Sequence, residues 1–241
     1  MNIKTDLHTH TIASTHAYST VMENARAAQE YGLEAIAITD HAPGMPDAPH
    51  LWHFDNLNTI PKTLYGVRIL IGAECTYQNE AGELDIPEGI LNGLDIVIGS
   101  LHPPVYVPQT AEESTRLWLK AIDNPYIDIL GHMDRSGFAH VPDFDEVVSC
   151  AVKKDKIVEF NVHSLDFGEE TRANTRKMLE ACKKYKAKIA VNSDAHFCTY
   201  IGKFDAGIKM LEEVRIDEEF IVNLDFNKFS DYIYLKKGKR L

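Results

Sequence analysis

The sequence predicts an α/β protein built on a parallel sheet. Two features carry that expectation: short β-rich runs alternate with stretches of helical periodicity, and the runs are nearly continuous in apolar residues. A strand with one wet face alternates apolar with polar residues. Ile69-Leu70-Ile71 and Ile96-Val97-Ile98 do not, so both faces of the sheet are expected to be covered. Periodicity leaves open whether the sheet closes into a barrel. An α/β barrel of 241 residues is ordinarily one unit, and a single domain over 1–241 is expected.

Seven strands are predicted, at 3–6, 35–39, 68–73, 95–100, 127–131, 157–161 and 188–192. Between them, 21–31, 111–122, 144–153 and 171–185 carry spaced apolar residues with charged faces and read as crossover helices. The longest irregular stretch is 42–62, rich in Pro and Gly, with Trp52, His53 and Phe54; its length predicts a functional lid. After the seventh strand, 204–214 reads as a helix, 220–222 as an edge strand and 227–232 as a closing helix. The basic ending Lys236-Lys237-Gly238-Lys239-Arg240 reads as a solvated tail.

Hydrophobic residues at 44% and charged residues at 25% place the chain among ordinary globular proteins and exclude a disordered one. The formal net charge of -11 argues against a broad nucleic-acid footprint, so an anionic partner has to be attracted locally. Bound cations would reverse the field inside so acidic a chain. The opening Met1-Asn2-Ile3-Lys4-Thr5-Asp6 carries no apolar signal core, and no later run is long enough to cross a bilayer. A cytoplasmic location without a membrane partner is expected. Cys75, Cys150, Cys182 and Cys198 lack the paired spacing of a zinc ribbon or disulfide framework and read as reduced thiols.

The chemistry gathers at the C-terminal ends of the strands. His8 and His10 come after the first, Asp40-His41 after the second, Glu74 after the third, His102 after the fourth and His132 after the fifth; Asn161 and His163 lie at the sixth, and Asp194-Ala195-His196 comes after the seventh. In a parallel barrel these positions share the C-terminal face, where catalytic groups converge from several strand ends. Imidazole and carboxylate are ligands for zinc, manganese or iron in hydrolytic sites, and a carboxylate can bridge two cations. A lone histidine after a strand is more often a surface or hydrogen-bonded residue. The recurrence at seven successive strands is the feature that points to metal.

Asp6-Leu7-His8-Thr9-His10, Thr39-Asp40-His41 and Asn192-Ser193-Asp194-Ala195-His196 together resemble the PHP (polymerase and histidinol phosphatase) superfamily, through nearly the whole chain. The segment Asp47-Ala48-Pro49-His50-Leu51-Trp52-His53-Phe54 is similar to the lid of its short YcdX-like phosphatase branch. The resemblance implies a distorted seven-stranded (βα) TIM-like barrel with three divalent cations, zinc first, with manganese and iron as alternatives. It implies that His8, His10, Glu74 and Asp194 hold one ion; His16, His41 and His196 a second; and Glu74, bridging, with His102 and His132 a third. The surroundings of those positions depart from the family pattern at Val162-His163 and at Arg135.

The function expected is hydrolysis of a small phosphomonoester by a metal-bridged hydroxide. Glu74 and Asp194 are the expected catalytic carboxylates, and Asp40 is expected to orient His41 or another ligand. Arg135, His163 and His53 are candidate substrate contacts, against the plainer readings of a surface salt bridge, a structural histidine and a self-packed lid. A histidinol-phosphate phosphatase, a nucleotide phosphatase and a nuclease remain alternatives within the superfamily. An amidohydrolase-type enzyme is disfavoured because His102 stands where that class carries a bridging lysine, and a non-catalytic metal module because the ligand set leaves coordination positions open.

Overall fold

The computed structural model describes residues 1–135 and 140–241. Seven parallel strands form a nearly closed barrel: β1 (Thr5–Thr9), β2 (Ala35–Ile38), β4 (Val67–Thr76), β5 (Ile96–Ser100), β6 (Ile129–Leu130), β7 (Ile157–Asn161) and β8 (Ile189–Asn192), paired in that order. A two-residue strand, β3 (Thr63–Leu64), pairs antiparallel with the start of β4 and lies outside the predicted set. The helices α1 (Val21–Tyr31), α4 (Ala111–Asp123), α5 (Phe144–Lys153), α6 (Glu169–Tyr185) and α7 (Asp205–Val214) match the predicted spans to within two residues. Two short helices, α2 (Leu51–Asp55) and α3 (Glu88–Leu91), are additional to the predicted ones, and α2 gives the expected lid a structured turn.

Side-chain hydrogen bonds fix where the long helices begin. Thr20 and Glu23 form a reciprocal cap at α1, Thr110 accepts from Glu113 N at α4, and Asp143 accepts from Glu146 N at α5. Each satisfies donors that the first turn leaves without a partner, an effect of about 1 kcal/mol.

The first strand runs two to three residues further along the chain than predicted, so His8 lies inside it. The third predicted strand likewise continues past Glu74 to Thr76. Polar side chains mark strand ends in most sheets; here they face a shared interior pocket instead, so the ladder continues through them.

The seam between β1 and β8 is closed largely by asparagine side chains in place of a strand ladder. Asn223 donates to Thr5 O at 2.8 Å and Val191 O at 2.7 Å and accepts from Val191 N at 3.0 Å, while Asn192 accepts from Leu7 N at 3.1 Å. At the upper rim His10 N donates to Ala195 O at 2.9 Å. The predicted edge strand at 220–222 is therefore only a single bridge, Ile189 to Ile221, beside this seam.

Leu7, Leu70, Ile96, Ile129 and Ile157 fill the barrel interior, and Phe229 and Ile233 of α8 (Phe226–Lys237) plug it from below. The basic ending is not a free tail. Lys236 and Lys237 reach the buried Asp128 carboxylate at 3.1 and 2.6 Å, and Lys239 reaches Asp95 at 2.5 Å. Sequence alone could not show that these lysines meet a buried acid at the bottom of the barrel. No helix among the described residues is long and apolar enough to cross a membrane.

Replacing Phe229 by alanine is expected to lower stability by about 3–5 kcal/mol through loss of the plug. Urea unfolding reads this directly, and an unchanged midpoint would show that α8 does not close the barrel.

Candidate metal centre

Glu74 occupies the middle of the upper rim, 1% exposed, with imidazoles against both oxygens. Its Oε2 lies 3.0 Å from His41 Nε2, 3.3 Å from His8 Nε2 and 3.5 Å from His10 Nε2. Its Oε1 lies 2.8 Å from His132 Nε2 and 3.3 Å from His102 Nε2. Asp194 completes the rim, with Oδ1 3.0 Å from His10 Nε2 and 3.4 Å from His8 Nε2. His16 and His196 line the same cavity, their rings stacked with centroids 4.4 Å apart. All nine candidate ligands thus converge on one pocket.

The rings are aimed by the partners of their far nitrogens. His8 Nδ1 donates to Glu159 Oε1 at 2.8 Å, His16 and His41 Nδ1 donate to Asp47 at 2.9 Å, and His196 Nδ1 donates to Asp194 O at 3.0 Å. With Nδ1 keeping its proton, each Nε2 is the atom turned to the pocket, and it offers a lone pair once the ring is neutral, as metal-ligating histidines require. His102 Nδ1 is fixed by Thr76 Oγ1 at 2.8 Å.

Glu159 and Asp47 escape a reading of the sequence. Glu159 is fully buried and also accepts from His132 N at 2.9 Å and Asn192 Nδ2 at 2.8 Å. A charged residue inside the apolar strand Ile157–Asn161 is the signal that could have found it. Asp47 has none beyond its place in the lid.

Asp40 sits apart from the His41 ring. It accepts from Thr11 N at 2.7 Å, Thr11 Oγ1 at 2.8 Å and Ser14 Oγ at 2.9 Å, and Ser14 Oγ in turn accepts from His41 N. It therefore holds the turn after β1 and reaches His41 only through that hydroxyl. His53 Nε2 lies 3.2 Å from Asp40 Oδ2, which ties the lid to the same carboxylate. Arg135 Nη2 donates to Asp194 Oδ2 at 2.6 Å, and its guanidinium lies 4.8 Å from the Phe167 ring centre. His163 is half-buried, 3.9 Å from Asp194, and lines the cavity with Arg135.

Two of the rim residues adopt left-handed backbone without being glycine, His132 at φ 27° and Asp194 at φ 53°. Such positions cost on the order of 1–3 kcal/mol each and persist where surrounding contacts over-determine them.

The donor set fits divalent cations. His196 Nε2 is buried without a hydrogen-bond partner, and Glu74 Oε2 faces three imidazole nitrogens without an aligned hydrogen bond, a costly arrangement for buried polar atoms. Sets of three donors converge at His8, His10 and Asp194, at His10, His41 and His196, and at His41, Glu74 and His102. Burial alone would raise the Glu74 and Asp194 carboxyls; His8, with His102 beside the one and Arg135 beside the other, outweighs it and holds both well below the usual carboxylate range. Burial, then His196 and His41, push His10 down to about 3, and burial, then Arg135, push His132 to about 4. Burial opposes the charge on His8 and His41 too, but Glu159 and Glu74 hold His8 well above its ordinary value, and Asp47 and Glu74 hold His41 at about 10.

The fold and this rim define a class, the metal-binding (βα) barrels. Within it, the chain belongs to the PHP domain family, whose model matches residues 6–208. It is 42% identical over 233 residues to a protein of Clostridium acetobutylicum named "probable phosphatase", covering 96% of this chain and 94% of that relative. A protein of the same name from Acetivibrio thermocellus is 42% identical over 239 residues, covering 99% and 98%. Among solved structures, histidinol phosphate phosphatase from Lactococcus lactis, complexed with zinc, L-histidinol and phosphate, shares the fold with a TM-score of 0.63 at 20% identity, covering 90% of this chain and 95% of that one.

Cation binding at neutral pH is expected to displace protons from His8 and His41, about two in all, because both ligate only when neutral. Calorimetric titration in buffers of different ionisation heat measures that release, and none would mean these two rings are not ligands. Glu159→Gln should weaken zinc binding by about 10–100-fold, read by competition with a chelator; an unchanged affinity would show that Glu159 does not support the ligand set.

Proposed function

We propose that the chain is a phosphomonoesterase of 1–241 that holds three divalent cations, zinc first, and hydrolyses a small phosphate ester. The observation that carries this reading is Glu74, whose two buried oxygens face imidazole nitrogens from opposite sides, the arrangement of a carboxylate that bridges cations. Curated relatives at 42% identity over nearly the whole chain carry the name phosphatase, which adds the reaction class. We assign His8, His10, Glu74 and Asp194 to one ion, His16, His41 and His196 to a second, and Glu74, His102 and His132 to a third.

Cations bound there would lower the pKa of water toward neutrality and neutralise phosphoryl oxygens. The protein's own groups prepare the place. Glu159, Asp47 and Thr76 hold His8, His16, His41 and His102 with ring nitrogens already pointed inward, so little reorganisation accompanies loading. Arg135 adds a planar cation beside Asp194, suited to two phosphoryl oxygens at once. Pro103, Pro104 and Met45 supply apolar walls to the cavity of about 670 Å3, which limits competing water around the ester. The site thereby attracts an anion into a chain of net charge -11 without a basic surface patch.

The test is phosphate release from a panel of phosphomonoesters by apo protein titrated with zinc, manganese, magnesium and iron, with metal content measured on the same sample. Activity should require about three bound ions per chain, and Glu74→Ala should abolish it while circular dichroism stays unchanged. Full metal loading without release from any phosphate ester would overturn the reading.

A further inference from the structure

A second cavity, of about 440 Å3, opens beside the metal pocket, with His163, Asp194 and His196 forming the wall between the two. Its volume falls within the range of roughly 300–1,000 Å3 that suits small-molecule sites. None of its remaining lining is needed to hold metal. Val162, Leu165 and Ala206 form part of its apolar lining, and three aromatic rings stand unusually open to water around it: Tyr18 at 71%, Tyr200 at 56% and Phe197 at 43% exposure. Rings left so exposed next to a reactive centre are suited to stacking on a flat partner.

Charge adds a second requirement. Two acids line this cavity, Asp194, which pairs with Arg135, and Asp166; Arg172 and Lys203 line it too, and neither of these cations pairs with a carboxylate among the described residues. Lys203 instead lies over the Tyr200 ring, 5.0 Å from its centre, which positions its ammonium against the aromatic wall. In a chain of net charge -11, two cations without acidic partners beside the active rim mark a place for an anion.

We propose that this cavity is the leaving-group subsite, and that it selects phosphomonoesters whose leaving group combines a flat ring with a second anionic group, a carboxylate or a further phosphate. The inference rests on the phosphomonoesterase reading. With the phosphoryl group at the metal rim, the ring lies among Tyr18, Phe197 and Tyr200, and the second anion meets Arg172 and Lys203. In the reaction, water adds to phosphorus, the P–O bond to the leaving group breaks, and the departing oxygen takes a proton from that water, giving orthophosphate and a hydroxyl compound. A leaving group bearing an ammonium is excluded by the same cations. L-histidinol phosphate, whose dephosphorylated product occupies the Lactococcus lactis structure, is therefore a poor substrate here.

The experiment compares phenyl phosphate, 4-carboxyphenyl phosphate, 1,4-phenylene bisphosphate and L-histidinol phosphate on the zinc-loaded full chain, by kcat/KM and by calorimetric binding of the same compounds. The two doubly anionic rings should exceed phenyl phosphate by about tenfold, the effect of one charge-assisted hydrogen bond, and their relative order identifies the second anion. In Arg172→Gln/Lys203→Gln that ratio should fall to about one, and Lys203→Arg should retain it. Both positions are exposed, so a fold change is not expected, and thermal unfolding checks this. Equal rates on all four compounds, a preference for L-histidinol phosphate, or a ratio that survives the double substitution would overturn the subsite. Binding that depends on Arg172 and Lys203 without phosphate release would retain the subsite and overturn the phosphatase reading instead.

Discussion

The polar rim of the barrel is organised around one buried carboxylate. Glu74 sits at the centre of the barrel rim with five imidazole nitrogens within 3.5 Å of its two oxygens. A carboxylate taken out of water costs several kcal/mol unless opposite charge compensates it. The rings are crowded in the same way: His8 Nε2 and His10 Nε2 lie 3.1 Å apart, where a proton on His8 lets it donate to a neutral His10. Without cations the compensation falls to protons, with His8 and His41 favoured in the charged form by the neighbouring carboxylates and His10 and His132 in the neutral form by burial and neighbouring cations. Divalent cations would supply that compensation in place of the protons.

That rim needs a rigid support, which the rest of the chain supplies. Parallel pairing sets Glu74 level with Ile98, and Asn161 with Asn192, so the strand ends form a ring. The β1 to β8 seam is where a barrel of seven strands fails to close by backbone alone. Asn223 and Asn192 fill the gap with side-chain amides, and α8 with its lysines seals the base against Asp128. Candidate metal ligands from the end of β1 and from the turn after β8 meet across this seam, in His10 and Asp194, so its closure bears directly on the site.

Much of the frame was legible in the sequence because strand-helix alternation and apolar continuity are local properties. The strand-end histidines were legible for the same reason: each lies next to a β-rich run, and their recurrence is visible without coordinates. The features that escaped depend on contacts between distant segments. Glu159 acts on His8 across 151 positions of chain, and Asn223 joins Thr5 across 218. The lysines at 236 and 237 read as a tail because their partner, Asp128, lies 109 positions before Lys237, although its place inside the apolar run 127–131 is the same signal that marks Glu159. Asp40 stands beside His41 in sequence, yet its carboxylate serves Thr11 and Ser14, while Asp47 from the lid takes the His41 ring.

Whether Glu74 bridges cations is tested most directly by anomalous scattering from crystals of the zinc-loaded protein. A bridging Glu74 places an ion within about 2.0–2.2 Å of each of its oxygens, the two separated by roughly 3.5–4 Å. Zinc bound elsewhere on the rim, with Glu74 hydrogen-bonded to histidine and touching no ion, would contradict it.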